Sequence, residues 1–332
     1  ITDHHLPGEQ LPAADAMVNP NLPGDAFPSK NLAGVGVAFY VMLALRAQLR
    51  AIGWFATRGL PEPNLGMYLD LVALGTVADV VPLDRNNRTL VHQGIRRIQA
   101  GRCVPGIQAL LEIAGRGLQR VVAADMGFAV GPRLNAAGRL DDMSVGIECL
   151  LSDDLGAARD MATRLDNMNR DRKDIESDMQ SRALDVIAAL ELKDDELPLG
   201  LCLFDPDWHQ GVIGILAARI KERFHRPVIA FARSGEGELK GSARSVTGLH
   251  IRDALDAVAV RHPGLIDKFG GHAMAAGQSL AEANYPACAV AFNEEVARHL
   301  SVDDLTGIIY SDGELTAQEL SLDTAQLLRD AS

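Results

Sequence analysis

The chain contains 332 residues, of which 47% are hydrophobic and 23% are charged, a composition typical of a globular protein and not of a disordered one. Its length allows about two domains, and no run of about 18 or more uncharged apolar residues predicts a membrane span. The formal net charge of −12 argues against general affinity for nucleic acid, so any DNA-binding groove must be locally basic.

The start of the chain and its cysteines indicate its context. The first residue is Ile1 rather than a Met, and no charged-then-apolar leader opens the sequence, so we expect the N-terminus to be cut. The four cysteines lie far apart without any C-x-x-C spacing, which argues against a zinc knuckle or a disulfide framework. We expect buried thiols in a reducing cytoplasm at Cys103, Cys149, Cys202 and Cys288.

The first third of the chain is predicted to be mostly helical. Apolar residues recur at helical spacing in residues 31–50 and again in residues 65–77, and Pro82 ends the second pattern. Two shorter helices are predicted at residues 87–100 and 105–114, and the second opens with a proline suited to a first helical turn.

A single long helix is predicted next. Residues 161–190 place apolar side chains at spacings of three or four, with Arg172 and Arg182 filling the missing steps, within a helical segment that we expect at residues 156–192. At 1.5 Å per residue this helix would reach about 45 Å. Because its middle, residues 169–174, is polar all round, the helix is suited to join two domains across a cleft.

The second half alternates strands and helices after a charged linker at residues 191–196, which predicts an α/β layer structure. Strands are predicted at residues 199–204, 227–232 and 238–242, and helices around residues 212–220 and 251–260. A further strand at residues 307–310, followed by a turn at Asp312-Gly313, begins a last segment. The predicted segments are residues 1–150, 156–192, 197–302 and 305–332.

Asp3-His4-His5 is the first candidate site, because the apolar Ile1-Thr2 suggests a strand end opening into a loop, where α/β proteins place their sites. Two imidazoles beside a carboxylate supply nitrogen and oxygen ligands suited to Mn²⁺. A solvated surface turn with two histidines explains the same residues equally well.

Asp79 is the second candidate, since it is one carboxylate in an otherwise apolar stretch, residues 74–82, at the end of a predicted helix. An unpaired carboxylate is costly to bury, so it should be neutralised, paired or bound to metal. A capping or salt-bridged aspartate is an equally good explanation of this residue.

Four strings together resemble the DHH phosphoesterase superfamily, and within it the RecJ type of exonuclease. They are D-H-H at residues 3–5, A-L-G-T-V-A-D-V-V-P-L at 73–83, G-P-R-L-N-A-A-G-R-L at 131–140 and F-G-G-H-A-M-A-A-G at 269–277. The resemblance covers nearly the whole chain, and four strings in the family's order are far more specific than any one of them.

The resemblance implies a fold class for each segment. Residues 1–150 would be the C-terminal part of a DHH catalytic domain with an interdomain segment, and residues 197–302 a nucleic-acid-binding DHHA1 domain. Residues 305–332 would begin an oligonucleotide-binding (OB-like) β-barrel. We therefore expect two α/β domains joined by a long helix, with a cleft between them and the start of a barrel.

The resemblance also implies a phosphodiesterase site with two Mn²⁺ or Mg²⁺ ions. His4 and Asp79 would be metal ligands, Asp3 would hold the His4 ring by a hydrogen bond, and His5 would lie beside the scissile phosphate. The family draws further aspartates from a segment before the triplet, which this sequence does not include. We therefore expect weak metal binding and no useful turnover by this chain alone.

Nucleic-acid contacts are implied first for Arg133, Asn135 and Arg139, which combine two guanidinium forks suited to phosphate with an amide. An interdomain salt bridge to Asp141 or Asp142 is the alternative. In the second half the resemblance implies contacts to the DNA backbone and terminal phosphate from Ser242, Arg244, Ser245, Gly270, Gly271 and His272.

Each of these second-half features also has a plainer explanation. Gly270 and Gly271 offer bare N–H groups for an anion nest, but glycine pairs also mark ordinary turns. Trp208 could stack on a base, but it is more simply a core residue.

The function that the resemblance implies is hydrolysis of single-stranded DNA from its 5′ end in recombination and repair. A helicase and a single-strand-binding protein are candidate partners, and no membrane is expected. Two alternatives stay open: a smaller DHH phosphoesterase that cleaves short oligonucleotides or cyclic dinucleotides, and a catalytically inactive DHH scaffold that binds strands.

Overall fold

The computed structural model describes residues 1–8, 10–188, 197–305, 311 and 313–331. Two compact units account for the chain: Ile1–Asn169 with Thr316–Ser332 form the first, and Arg170–Leu315 form the second. Each unit has its own buried hydrophobic clusters, so each is described by itself.

The first unit is built from helices. They are α1 (Gly34–Ala51), α2 (Trp54–Arg58), α3 (Leu69–Ala78), α4 (Arg85–Gln99), α5 (Pro105–Ile113), α6 (Ala123–Asp125), α7 (Gly131–Leu140) and α8 (Ser144–Leu151). The four helices predicted in residues 31–114 are confirmed as α1, α3, α4 and α5, and Leu65–Tyr68 forms a 3-10 turn before α3. One core surrounds Ile107 and Leu110, and a second packs Val37 of α1 against Val72 of α3.

The long helix is confirmed as α9 (Leu155–Ala188), while the charged linker predicted at residues 191–196 lies outside the described residues. The expectation that its middle is polar on all sides in solvent is wrong. Asp166, Asn169 and Arg172 are only 3%, 2% and 8% exposed, and their spacing of three puts them on one face. Each has a polar or electrostatic partner, which offsets the cost of burial.

The second unit is α/β, as predicted. Its strands are β1 (Leu201–Phe204), β2 (Val228–Gly235), β3 (Glu238–Arg244), β4 (Lys268–Gly271) and β5 (Ala275–Ala281), and its helices α10 (Ile213–Phe224), α11 (Ile251–Arg261) and α12 (Tyr285–His299). The sheet order is β1-β2-β3-β5-β4, with β1 parallel to β2 and the other pairs antiparallel. The sheet is therefore mixed, and α10 provides the crossover that two parallel strands need.

Helices cover both faces of this sheet, because side chains alternate along a strand. Ile229 and Phe231 of β2 pack in a core with α11 and α12, whereas Val228 and Ala230 pack in another core with α10. Trp208 is 4% exposed in that second core, which confirms its prediction as a core residue.

One part of the predicted fold class differs from the structure, and another part is not tested by it. Among the described residues of the first unit the only β pairing is an isolated parallel bridge between Thr2 and Val18, so an α/β sheet is present only in the second unit. The strand predicted at 307–310 lies outside the described residues, and Leu322–Ala331 form a helix, α13. The OB-like barrel, the cleft and the four segment boundaries therefore stay predictions.

The cysteines are free, with Cys149 and Cys288 buried and Cys103 and Cys202 half-buried. Burial raises the pKa of the Cys103, Cys149 and Cys288 thiols to about 11, which keeps them protonated and unreactive at neutral pH. None of the helices in the described ranges is long and apolar enough to cross a membrane.

The packing of α4 against α3 depends on Gly94. A Cβ atom at this position would overlap the Leu69 carbonyl oxygen and lie 2.5 Å from the Cβ of Ala73. Both obstacles belong to the body of α3 and not to the end of a flexible side chain. A larger residue at position 94 must therefore push the two helices apart.

We expect Gly94→Ala to lower the free energy of unfolding by about 2 kcal/mol, measured by urea denaturation. Alanine returns about 1 kcal/mol of helix propensity, but overpacking costs about 1–3 kcal/mol and more where backbone must move. Gly117→Ala is the control, because a Cβ there meets nothing within 4 Å and its φ is −77°. Equal stability of the two variants would show that the helices adjust freely.

Candidate functional site

Two asparagines hold the Asp3-His4-His5 loop. The side-chain amide of Asn21 donates to the His4 carbonyl at 2.7 Å, and that of Asn19 donates to the His5 carbonyl at 2.8 Å. Neither residue was predicted as part of the site, although Asn-Pro-Asn at positions 19–21 is a typical turn signal. The loop is thus fixed through its backbone, which leaves its side chains available.

The Asp3 carboxylate binds the ring of His5. Its Oδ1 accepts hydrogen bonds from His5 Nδ1 at 2.8 Å, from the His4 backbone N at 2.7 Å and from the His5 backbone N at 3.2 Å. The hydrogen bond from the His5 ring, followed by those from the backbone, lowers the pKa of Asp3 to about 2. The expectation that Asp3 holds the His4 ring is wrong, because the turn folds His5, and not the His4 ring, back onto the carboxylate.

This contact fixes the chemistry of His5. An ionised carboxylate only accepts hydrogen bonds, so His5 Nδ1 carries the proton and Nε2 of the neutral ring keeps its lone pair. The His5 side chain is 63% exposed. A basic nitrogen is therefore presented to solvent in a fixed orientation.

His4 lies beside Asp79, although the two residues are far apart in the sequence. His4 Nε2 and Asp79 Oδ2 are 3.3 Å apart, with side chains 17% and 41% exposed. Asp79 caps the C-terminal end of α3, where the helix ends in solvent, so the expectation of a buried carboxylate is wrong. Asp79 thus lies beside an imidazole, and its role as a metal ligand stays a prediction.

The donor set fits a divalent cation. One ligand atom each from Asp3, His4 and His5 lies within 4.8 Å of the others, and Asp79 adds a second carboxylate next to His4. Imidazole nitrogen and carboxylate oxygen are ligands that Mn²⁺ accepts. Since the group is partly exposed, a bound ion would keep room for water or substrate oxygen.

Two exposed apolar residues lie near the end of α3, and the sequence analysis missed both. Val80, directly after Asp79, is 86% exposed with a φ of 59°, a left-handed backbone that β-branched residues rarely adopt. Phe128 is 87% exposed on a π-helical turn, Met126–Val130, which packs against α3. Such turns are frequent at functional sites, but the apolar pattern of this stretch gave no sign of one.

Arg133 forms an ion pair and a hydrogen bond with residues of the first unit. Its Nε and Nη2 lie 2.9 Å and 2.8 Å from Asp166 Oδ1, and its Nη1 donates to the Ala129 carbonyl at 2.6 Å. The prediction of a DNA contact from Arg133 is therefore corrected to a half-buried ion pair. The alternative of a salt bridge describes it, with Asp166 as the partner rather than Asp141 or Asp142, because the arginine faces α9.

Asn135 and Arg139 differ from Arg133 in their accessibility. Both are exposed, and their spacing of four puts them on the same face of α7. Two of the three polar residues predicted in this string thus lie on the surface of the first unit.

In the second unit, Arg244 and Ser242 meet the first turn of α10. Arg244 Nη1 donates to Ser242 Oγ at 3.1 Å and to the Ala243 carbonyl at 2.8 Å. A Cβ on Gly214 would lie 3.0 Å from both Arg244 Nη2 and Ser242 Oγ. The bare glycine therefore makes room for a guanidinium and a hydroxyl beside the N-terminus of a helix, where anions are favoured.

At two other positions predicted to contact DNA, the polar groups make hydrogen bonds within the protein. Ser245 is 1% exposed and its hydroxyl donates to the Leu249 carbonyl at 2.8 Å, so the prediction that it contacts DNA is corrected. Gly271 has a φ of 153°, and the next N–H, from His272, donates to the Ala275 carbonyl at 2.9 Å. This part of the predicted anion nest is a turn.

Gly270, Gly271 and His272 are all exposed. The turn precedes β5, whose first residue, Ala275, pairs with Arg244 of β3. The predicted residues of the second unit are therefore brought to one end of the sheet.

We expect His5→Ala to raise the pKa of Asp3 from about 2 towards 3.8, because the ring hydrogen bond is its largest cause. A carboxylate with a lowered pKa stabilises the loop above pH 3.8, and this contribution is lost as the pH falls through about 2. The measurement is an NMR titration of the Asp3 carboxyl carbon. The control, His92→Ala, should leave the value unchanged, and a pKa that stays near 2 in His5→Ala would contradict the assignment.

Comparison with known proteins identifies the second unit and then the whole chain. The family model described as the DHHA1 domain matches residues 197–298. The "Single-stranded-DNA-specific exonuclease RecJ" of Dickeya dadantii (strain 3937) is 62% identical over 331 residues, which are 100% of this chain and 58% of that protein. The chain thus spans somewhat more than half the length of this relative.

Solved structures agree with this match. The structure of RecJ in complex with Mn²⁺ from Thermus thermophilus has a TM-score of 0.75 and 35% identity, covering 90% of this chain and 41% of that one. The structure of exonuclease RecJ bound to manganese has a TM-score of 0.70 and 34% identity, covering 90% of this chain and 69% of that one. The chain therefore belongs to the RecJ family of the DHH phosphoesterases.

Proposed function

We propose that this chain provides part of a metal-dependent exonuclease that hydrolyses single-stranded DNA from the 5′ end in recombination and repair. The observation that carries the proposal is the 3.3 Å approach of His4 to Asp79 beside Asp3 and His5. Relatives named as single-stranded-DNA-specific exonucleases, and related structures solved with Mn²⁺ and Mg²⁺, support it.

In this proposal His4 and Asp79 hold a divalent Mn²⁺ or Mg²⁺ ion. A bound ion supplies Lewis-acid stabilisation of phosphoryl oxygens and lowers the pKa of a coordinated water. The chain's own contribution is the orientation of His5, whose Nδ1 is held by Asp3 at 2.8 Å. His5 Nε2 is then aimed outward to hold a proton or accept one next to the scissile phosphate.

The second unit would bind the terminal phosphate. Arg244 and Ser242 offer a guanidinium fork and a hydroxyl beside the first turn of α10, and the exposed His272 and Gly270 lie on strands or turns at the same end of the sheet. Several convergent donors favour a doubly charged 5′-phosphate over an internal phosphodiester with one charge.

The strand itself would contact the first unit through Asn135 and Arg139 on α7 and through Phe128. An aromatic ring that is 87% exposed has a face on which a base can stack, and stacking tolerates any base. This combination suits an enzyme that reads single strands without a sequence preference.

Other parts of the proposal rest on the family alone. They are an OB-like barrel beginning in residues 305–332, a cleft that admits one strand, a helicase and a single-strand-binding protein as partners, and action in the cytoplasm. The free, high-pKa cysteines are consistent with a reducing compartment. A smaller phosphoesterase or an inactive scaffold is less well supported, because the related proteins at high identity are named as exonucleases.

The metal centre is tested by titrating the chain with Mn²⁺ and following the free ion by electron paramagnetic resonance. We expect His4→Ala and Asp79→Ala each to weaken Mn²⁺ binding by about 10–100-fold, the range typical of altered metal-site residues. His272→Ala serves as the control, because its ring belongs to the other unit. Unchanged Mn²⁺ affinity in both site variants would remove these residues from the metal centre.

Hydrolysis provides the functional readout of the same variants. Nuclease activity of the purified chain that disappears in Asp79→Ala would support the exonuclease and overturn the expectation that its ligand set is insufficient for turnover. Activity that persists in Asp79→Ala would come from a contaminant or from another site.

The phosphate site is tested by comparing strands with and without a 5′ phosphate. We expect Arg244→Ala to weaken binding of the phosphorylated strand by about tenfold, since a charge-assisted contact is worth about 1.5–3 kcal/mol. Gly214→Ala keeps every charge but crowds the guanidinium, so it should weaken binding in the same direction. If both variants bind phosphorylated strands as the parent chain does, Arg244 is not in the site.

A further inference from the structure

A concave surface on the first unit is lined with cations. The cavity has a volume of about 850 Å³ and lies along α4, the 3-10 turn Leu118–Arg120 and one residue of α13. Its positively charged and imidazole side chains are Arg85, Arg88, His92, Arg96, Arg120 and Arg329. The volume is within the range of about 300–1,000 Å³ that small-molecule sites occupy.

The charge of this surface is opposite to that of the chain. The chain has a formal net charge of −12, yet the residues lining the cavity, all in the described part of the chain, include no Asp or Glu. Several exposed arginines outside the cavity do have carboxylate partners, as in Arg50 with Glu62 and Arg159 with Glu112. The lining thus brings several positive charges together without a carboxylate among them, and an anion that binds there lowers their mutual repulsion.

The ion-pair pattern is clearest at three arginines. Arg85, Arg96 and Arg120 are exposed and make no ion pair with any residue that the structure describes. Their guanidinium groups are therefore available to a ligand, and none is needed to neutralise a neighbouring carboxylate.

The spacing along α4 arranges the basic side chains in a row parallel to the helix axis. Arg85, Arg88, His92 and Arg96 follow one another at three or four residues, which keeps them on one face with steps of about 4.5–6 Å along the axis. Successive phosphates of an extended strand recur at a comparable interval. A row of three guanidinium groups and one imidazole matches a polyanion better than it matches one isolated charge.

Amide groups complete the lining. Gln93 and Gln119 line the same cavity and can both donate and accept hydrogen bonds, whereas the Gln99 amide there donates to the Val121 carbonyl at 2.9 Å. The edges of nucleobases present donors and acceptors in pairs, whereas an acidic peptide presents mostly acceptors. The combination of arginines and glutamines therefore favours a nucleotide ligand over an acidic peptide.

We propose that the arginine-lined cavity along α4 is a second binding site for the phosphates of nucleotides, either in a single strand or as free mononucleotides. This goes beyond the proposed exonuclease, because none of its metal-centre or terminal-phosphate residues lines the cavity. The site would hold a strand segment or a released product apart from the scissile phosphate.

The test is an anisotropy titration of the chain with fluorescent oligothymidylate, in EDTA so that metal-centre binding does not contribute. We expect the triple variant Arg85→Gln, Arg96→Gln, Arg120→Gln to weaken binding by about tenfold or more. Each lost contact to a single strand also lowers the salt slope by about 0.7, or roughly 2 for three. The matched control removes three exposed arginines outside the cavity, by Arg58→Gln, Arg102→Gln and Arg164→Gln.

Equal losses of affinity in the two triple variants would overturn the proposal, because only total charge would then matter. Competing dTMP distinguishes the two nucleotide sources: displacement of the oligonucleotide means that a free nucleotide suffices, and no displacement means that the site takes a strand. Both results support a phosphate site if the cavity variant is weakened. Displacement by oligoglutamate as effective as by unlabelled oligothymidylate of equal charge would instead assign the cavity to an acidic peptide.

A second measurement does not depend on variants. Phenylglyoxal modifies accessible arginines, and mass spectrometry locates the modified residues. Oligothymidylate should protect Arg85 and Arg96 but leave Arg58 reactive. Modification of Arg85 and Arg96 that is unchanged by a saturating strand would contradict the proposal even if every variant folds well.

Discussion

The close approach of α3 and α4 at Gly94 is the constraint on which the first unit depends. It lets the two helices pack nearly backbone to backbone in the first half of α3, the helix that ends at Asp79. Leu90, Val91 and Ile98 of α4 are buried, whereas Arg85, Arg88 and Arg96 of the same helix are exposed. The tightly packed pair of helices thus carries both a candidate metal ligand and a basic surface.

The metal centre shows how a short loop can be made rigid without a long element. Asn19 and Asn21 bind the carbonyl groups of the loop, and Asp3 binds its N–H groups and the His5 ring. These backbone polar groups would otherwise face water, and because they are used, little conformational entropy remains to be lost when a ligand binds. The side chains that meet the ligand are oriented in advance.

Much of this arrangement could be predicted from the sequence. Helix and strand positions followed from apolar periodicity, and the closeness of His4 to Asp79 followed from the family strings, which imply that both are ligands of one metal site. The predicted DNA contacts that were corrected depended on tertiary contacts that the sequence does not reveal. Arg133 and Ser245 carry the chemistry of ligand contacts, but Asp166 and the Leu249 carbonyl occupy them in the fold.

Other candidate functional residues were not predicted at all, for a related reason. Phe128 lies in a stretch whose apolar pattern continues without interruption, and only the π-helical turn moves its ring outward. The arginines of α4 were not singled out from the sequence, because the absence of acidic neighbours is a property of the folded surface. Burial and exposure at such positions follow from tertiary packing and not from local propensity.

The buried polar face of α9 determines the rotation of that helix. A slip of one residue would turn every side chain by about 100° and bring Asn167 to the position of Asp166. The guanidinium of Arg133 would then be half-buried without its carboxylate, at a cost of about 3–5 kcal/mol for a broken buried pair. A purely apolar stripe would tolerate such a slip more readily. The ion pair therefore selects one register of a long helix. It contributes more to the specificity of the fold than to its free energy of unfolding.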